Sequence, residues 1–406
     1  MSSIFDISAV GHAIPVVSME DLERDPHQIY KYYRQQTPVI RRADGPYLVL
    51  RASAFEAFYD ETKTRQLETE YLKMRGINDG PLWDAVANSM LYSNGAVHRR
   101  RRAPVARAFA HRMIEGLRPS IRRVAEEILD QHHAKGGMDL LTDYASLIPA
   151  RTVASIIGLP HADIRRFTAN VYAFSKFFSG AWKDEDLPGF ENAASALQTY
   201  IQEILAARTT APQDGFIDDY LEATERASDL SELEIIMQLV TLVIAGSDTT
   251  RGAIVSQTSL LLHHRDQWNL LLEEPERIPS AVQECLRYEP IAGSIPRFTV
   301  DDIDLDGYVV PRNSVVLLMT ISALRDEEMF SAPETFDISR PPPKWNIVFG
   351  GGAHRCLGEA LAKAELEESL AVLLQRYPNM HLVEDYRRLE GHGGIRRVEN
   401  VKIRWS

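Results

Sequence analysis

Hydrophobic positions along this chain recur mostly at helical spacing, interrupted by short β-rich runs that flank turn residues. The spacing predicts helices over residues 97–117, 121–133, 192–207, 279–288 and 357–374. Residues 38–50 and residues 303–311, around Asp306-Gly307, predict β-hairpins, and residues 394–405 suggest a third. The longest pattern follows Ser231 and Glu234, which form a capping-box signature. It runs to Leu262 and is apolar on almost every side in its first half, so a folded protein has to bury this helix centrally. No repeat, low-complexity tract or linker divides the sequence. The expected architecture is mainly α with minor β, in one domain over residues 1–406.

Composition narrows the class without naming a function. With 45% hydrophobic and 25% charged residues, the 406-residue chain reads as soluble and globular, which excludes disorder and collagen-like structure. Its two cysteines, Cys285 and Cys356, exclude a disulfide framework and any thiol cluster for zinc or iron-sulfur, so a reducing cytoplasm is expected. The N-terminal residues lack a basic region followed by an apolar one, and no stretch reaches ~18 apolar residues, so neither secretion nor membrane insertion is expected. A formal net charge of −12 argues against nucleic acid as a partner.

Four places break local rules. Inside the central apolar run, Ala245-Gly246-Ser247-Asp248-Thr249-Thr250 replaces good helix formers with poor ones. Either small residues accommodate a neighbouring helix there, or the helix opens beside a ligand and presents a carboxylate and a hydroxyl to it. Second, Phe349-Gly350-Gly351-Gly352-Ala353-His354-Arg355-Cys356-Leu357-Gly358 leads directly into a helix. Glycines let backbone N–H groups approach one atom, and a helix start favours an anion, so Cys356 is expected as a thiolate. A buried core cysteine and a nucleophile are the alternatives, the latter without an evident base. Third, Glu284 and Arg287 share a helical face, a spacing common among surface pairs. Fourth, His98-Arg99-Arg100-Arg101-Arg102 is either a solvated face or, through the i,i+4 pair His98 and Arg102, a grip on an anionic group.

Taken together, Phe349-x-x-Gly352-x-x-x-Cys356-x-Gly358, Ala245-Gly246-x-Asp248-Thr249-Thr250 and Glu284-x-x-Arg287 resemble the cytochrome P450 haem-thiolate monooxygenases. The resemblance extends to residues 25–39, 98–109 and 323–341 and so covers essentially the whole chain. It implies the cytochrome P450 fold, with a long central helix over a buried haem b, iron protoporphyrin IX. It makes Cys356 the axial ligand of the metal, with Phe349, Gly358 and Ala245 beside the cofactor, and His98, Arg102, Arg297 and His354 on its propionates. Glu284 and Arg287, with Arg340, become a structural buried pair. Asp248 and Thr249 become the catalytic proton relay, with a helix break at Gly246 leaving room for oxygen and water. The implied reaction consumes O2, two electrons and two protons, releases water, and inserts one oxygen atom into a C–H bond.

The resemblance also implies a pocket lined by Thr241, Ile244, Ala245, residues 291–295 and the turn near Ile395, under a lid containing Phe174, Phe177, Phe178 and Trp182. A hydrophobic small molecule, aromatic or terpenoid, fits such a lining. Lys73, Arg75 and Asp79 near the entrance leave room for a polar substituent. Electrons are expected from a separate ferredoxin and reductase, docking on a basic patch of Arg99, Arg100, Arg101, Arg107, Arg112, Arg355 and Lys363. Two other readings compete: a peroxide-driven haem-thiolate enzyme, disfavoured by the Asp248-Thr249 pair, and a non-enzymatic haem sensor, for which no output element is evident.

Overall fold

The helix Glu232–His263 is the structural axis of the computed structural model, which describes residues 12–109, 111–179, 182–227, 229–343 and 346–405. Residues 111–113, 161 and 179 are described by backbone alone. Both capping-box bonds form: the Glu234 N–H donates to Ser231 Oγ at 3.2 Å, and the Ser231 N–H donates to Glu234 Oε2 at 3.0 Å. The same carboxylate receives Arg100 and Arg101, which fixes the start of the central helix to the early helix Gly95–Ala108. Burial alone would raise the Glu234 pKa, but Arg100, the Ser231 N–H and Arg101 pull it down to about 2.

By length and composition the central helix is apolar enough to cross a membrane, yet 67% of its apolar window is buried inside the fold. Leu147–Ile156, Ile164–Ser175 and Glu359–Arg376 pack around it. The expected break at Gly246 does not occur. The helix runs unbroken, because the Ser247 and Thr249 hydroxyls donate to the carbonyls of Val243 and Ala245, at 2.7 and 3.0 Å, instead of disrupting the ladder.

Other boundaries moved. The two helices expected over 97–117 and 121–133 are instead Gly95–Ala108 and His111–His132. The chain turns at Phe109, and Pro119 lies inside the second helix rather than ahead of it.

Both clear hairpins form. Ile303–Leu305 pairs with Tyr308–Val310 across Asp306 and Gly307, which take φ of 54° and 88° as a tight hairpin turn requires. Val39–Arg42 pairs with Tyr47–Val49 and joins a six-stranded sheet that also holds Val315–Leu318 and Ile295–Thr299. The third hairpin is corrected: Lys402–Arg404 does not fold back on residues 394–398 but lies between His381–Leu382 and Gly137–Asp139. Mainly α structure with small sheets is thus the observed class.

Candidate active site

The cysteine loop is shaped by glycine and closed by its own backbone. Gly350 and Gly352 take φ of 70° and 62°, which other residues resist. A Cβ on Gly352 would also lie 3.2 Å from the Tyr59 Cβ. The Cys356 N–H donates to the Phe349 carbonyl at 2.8 Å, and the helix Glu359–Arg376 starts immediately beyond, with Gly358 as its cap. Cys356 is exposed by surface area yet enclosed by protein atoms, so its thiol faces an interior hollow. Burial pushes this thiol's pKa up, and the Gly358 N–H, Arg102 and Arg355 only partly offset that rise. The Gly358 N–H and the two guanidiniums act on Cys356 in the direction expected of the helix start, against burial.

Beside the loop lies a group of basic side chains that, among the described residues, has one carboxylate nearby, Glu61. The His98 and His354 rings stack with centroids 3.9 Å apart, and both nitrogens of His98 and Nε2 of His354 are buried without a hydrogen-bond partner. Burial, then Arg102 and Arg99, push His98 down to about 4. Burial, then His98, Arg297 and Arg102, push His354 down to about 3, so both rings are neutral donors near pH 7. Arg102 donates Nη2 to the Arg355 carbonyl at 2.6 Å. Arg297, only 4% exposed, donates to the Pro296 carbonyl at 3.0 Å.

Among the described residues no carboxylate pairs with Arg102 or Arg297. A guanidinium buried this deeply is costly without an anion. Glu61, His98 and His354 have ligand atoms within 4.8 Å of one another, as metal ligands do. The surrounding Arg99, Arg102 and Arg297 oppose a dication there, and Glu61 already meets Arg99 at 3.3 Å. The set fits a buried acidic group instead.

On the central helix Ala245 is exposed between buried Ile244 and half-buried Gly246, so that stretch also faces a hollow. Thr249 bonds back to the Ala245 carbonyl, and Asp248 pairs with Arg251, whose guanidinium lies 4.1 Å from the Tyr172 ring centre. Among the described residues no hydrogen bond or ion pair joins Asp248 or Thr249 to the Cys356 group.

Residues 291–295 connect these parts. Ile291 Cδ1 lies 2.5 Å from where a Cβ on Gly252 of the central helix would stand, and Ile295 Cδ1 lies 3.7 Å from the equivalent point on Gly350. The Gly293 N–H donates to the Gly394 carbonyl at 2.7 Å, and Ile395 bridges to Ala292. Helix, cysteine loop and C-terminal turn therefore meet on one short segment.

Glu284 and Arg287 form a two-bonded pair at 2.6 and 2.8 Å, both almost fully buried, with Arg340 3.3 Å from the same carboxylate. Arg287 also donates to the carbonyls of Leu324, Pro333 and Thr335. In the lid region Phe174 and Phe177 are buried in core, while Phe178 stacks on Tyr92 and Trp182 lies under Arg75 at 4.1 Å. Arg75 is also paired with Asp184 at 2.5 Å, so its charge is already met.

The expected basic patch is largely neutralised. Arg100 and Arg101 turn inward to Glu234, while Arg355 and Lys363 each meet Glu359 at 2.7 Å. Arg107 is exposed, and the Arg112 side chain lies outside the described residues.

Sequence reasoning missed Tyr59, Arg251 and Glu365. The Glu365 carboxyl is fully buried on the helix Glu359–Arg376, and burial pushes its pKa up to about 8 against the hydroxyls of Thr152 and Thr250. Those hydroxyls face it without reaching hydrogen-bond geometry. Nothing in a helix that also carries Glu359, Glu367 and Glu368 singles it out.

Comparison with known proteins places this geometry in a family. The cytochrome P450 family model matches residues 163–387. The plant-inducible cytochrome P450-pinF1 of Rhizobium radiobacter is 42% identical over 390 residues, covering 96% of this chain and 92% of that protein. The mycinamicin IV hydroxylase/epoxidase of Micromonospora griseorubida is 33% identical, covering 74% of this chain and 75% of its own length. Among solved structures, CalO2 superimposes with a TM-score of 0.88 at 28% identity over 95% of this chain and 97% of that one. P450BioI, solved with a fatty-acid-loaded acyl carrier protein, gives a TM-score of 0.85 at 27% identity over 95% of this chain and all of its own. By sequence over nearly its whole length, and by fold, the chain belongs to the cytochrome P450 family of haem-iron monooxygenases.

Proposed function

We propose that the chain acts as one catalytic domain over residues 1–406, in the cytoplasm, and hydroxylates or oxidatively dealkylates a hydrophobic small molecule of aromatic or terpenoid character. Electrons come from a separate ferredoxin and ferredoxin reductase. When bound, haem b supplies the activation of O2 and the insertion of one oxygen atom into the substrate. The observation that carries this reading is the enclosed Cys356 thiol beside Arg102, Arg297, His98 and His354, none of which has a carboxylate partner among the described residues apart from the Glu61 near the histidines.

In this reading Cys356 ligates the metal, and the loop bond to Phe349 together with the Gly358 N–H holds its sulfur in place. Arg102 and Arg297 would balance the acidic groups of the haem, and the rings of His98 and His354 would donate to them. Ala245 leaves space beside the reacting centre because its side chain is a single methyl. Asp248 takes up protons from the side where Arg251 holds it, and Thr249 passes them inward after its hydroxyl releases the Ala245 carbonyl. Ile291, Ile295 and Ile395 supply apolar walls that orient substrate and exclude water.

Turnover of a hydrophobic substrate library separates this reading from its competitors. Product formation with ferredoxin, reductase and NAD(P)H, at a rate well above that with hydrogen peroxide alone, is expected. Turnover by peroxide alone would make it a peroxygenase, and no oxidation under either condition would contradict the enzymatic reading.

A further inference from the structure

Among the groups that the chemistry above does not use, the buried Glu289–Arg396 pair has the most specific surroundings. Arg396 is 2% exposed, although it sits in a C-terminal loop that carries Gly391, Gly393 and Gly394. Its Nη1 donates to Glu289 Oε2 at 2.8 Å and lies 3.3 Å from the Pro290 carbonyl. Its Nη2 donates to the Leu389 carbonyl at 2.7 Å and its Nε to the Gly391 carbonyl at 3.2 Å. Its backbone N–H donates to the Ile291 carbonyl at 2.8 Å. One side chain thus ties the near end of the loop to residues 289–291, where the apolar segment 291–295 begins.

The partner carboxylate is buried among further basic side chains. Glu289 Oε1 has His27 Nε2 and Arg325 Nη2 each at 3.5 Å and Arg388 Nε at 3.8 Å, a ring of donors around it outside good hydrogen-bond geometry. The loop by contrast has little stiffness of its own. Gly391 and Gly394 take φ of 100° and 60°, and glycines give up more freedom on ordering than any other residue. Gly293 is required opposite: a Cβ there would lie 3.1 Å from Arg396 Cγ and Cδ.

We propose that Arg396 is a specificity-determining positioning residue, anchoring the glycine turn so that Ile395 stands at a fixed distance from Ile291 and Ile295. The inference rests on the reading that these three isoleucines face the substrate. It predicts that loosening Arg396 alters which ligand shapes fit while leaving the metal site unchanged. An arginine is needed because its planar fork reaches a carboxylate and two loop carbonyls at once, whereas lysine keeps the charge but has one point of attachment.

The test compares imidazole, which occupies only the metal, with 4-phenylimidazole, whose ring extends into the pocket, by optical titration of the haem-loaded protein. Arg396→Lys is expected to weaken 4-phenylimidazole by about fivefold, the scale of one lost hydrogen bond, while leaving imidazole unchanged. Amide hydrogen exchange over residues 389–397 should rise in the same variant. Should Arg396→Lys not fold, the double variant Glu289→Gln/Arg396→Gln, which leaves that pair without charge, is read in the same way. Ile395→Ala tests the underlying reading: it should also shift 4-phenylimidazole selectively. No shift in Ile395→Ala overturns that reading and the inference with it. A shift in Ile395→Ala with unchanged selectivity and exchange in the Arg396 variant overturns the inference alone.

Discussion

Thr249 donates its hydroxyl to the Ala245 carbonyl, and Asp248 is tied to Arg251, so on the proposed proton relay each side chain starts from a local bond. The relay gives the two residues different parts, which makes their failures distinguishable. Thr249→Ala should consume reducing equivalents at a near-normal rate while the product formed per equivalent falls several-fold and hydrogen peroxide accumulates. Asp248→Asn should slow the whole cycle, by about 100-fold if it carries the usual share of acid–base catalysis. Stopped-flow consumption of NAD(P)H together with product and peroxide assays reads both, and normal coupling and rate in both variants would place the proton route elsewhere. Cys356 was legible because a lone cysteine among glycines ahead of a helix has few other uses, and the Glu284–Arg287 pair because its spacing joined the other motifs. Arg251 and Glu365 were not legible. A single charged residue on a helix looks solvated until the packing around it is known.

At the scale of elements, the cap at Ser231, the burial of the central helix and the Asp306-Gly307 hairpin follow from local chemistry and form as expected. The misplaced pieces depend on distant partners. Lys402–Arg404 pairs with Gly137–Asp139, which nothing in residues 394–405 announces, and Pro119 is accommodated inside a helix whose apolar face is buried. One element carries a pH signature. The Glu365 pKa lies at about 8 in the fold, against 4.5 for an ordinary glutamate. Between those values the folded state binds the extra proton, so stability is fully supported at the acid end and falls as pH rises through the window. Urea unfolding across that range should show wild type losing stability relative to Glu365→Gln by ~1 kcal/mol per pH unit. Parallel pH profiles for the two proteins would contradict a protonated buried carboxyl.

Across the whole molecule, charge is organised inward more than the sequence suggests. A net charge of −12 coexists with five arginines between residues 98 and 108, of which Arg100 and Arg101 brace the central helix through Glu234. Half-buried Arg102 and buried Arg297 instead hold charge beside Cys356 with no carboxylate among the described residues paired to it, an arrangement a folded protein sustains when an acidic ligand completes it. The fold thus brings Cys356 and His354 on one loop next to His98 and Arg102 on an early helix and Arg297 on a strand. The most direct measurement is the optical spectrum of the reduced, carbon monoxide-treated holoprotein and of Cys356→His. The account predicts the strongly red-shifted band of thiolate ligation in wild type, its loss in Cys356→His, and no change in Cys285→Ala. A wild-type spectrum like that of a histidine-ligated globin, or a red-shifted band that survives Cys356→His, would contradict it.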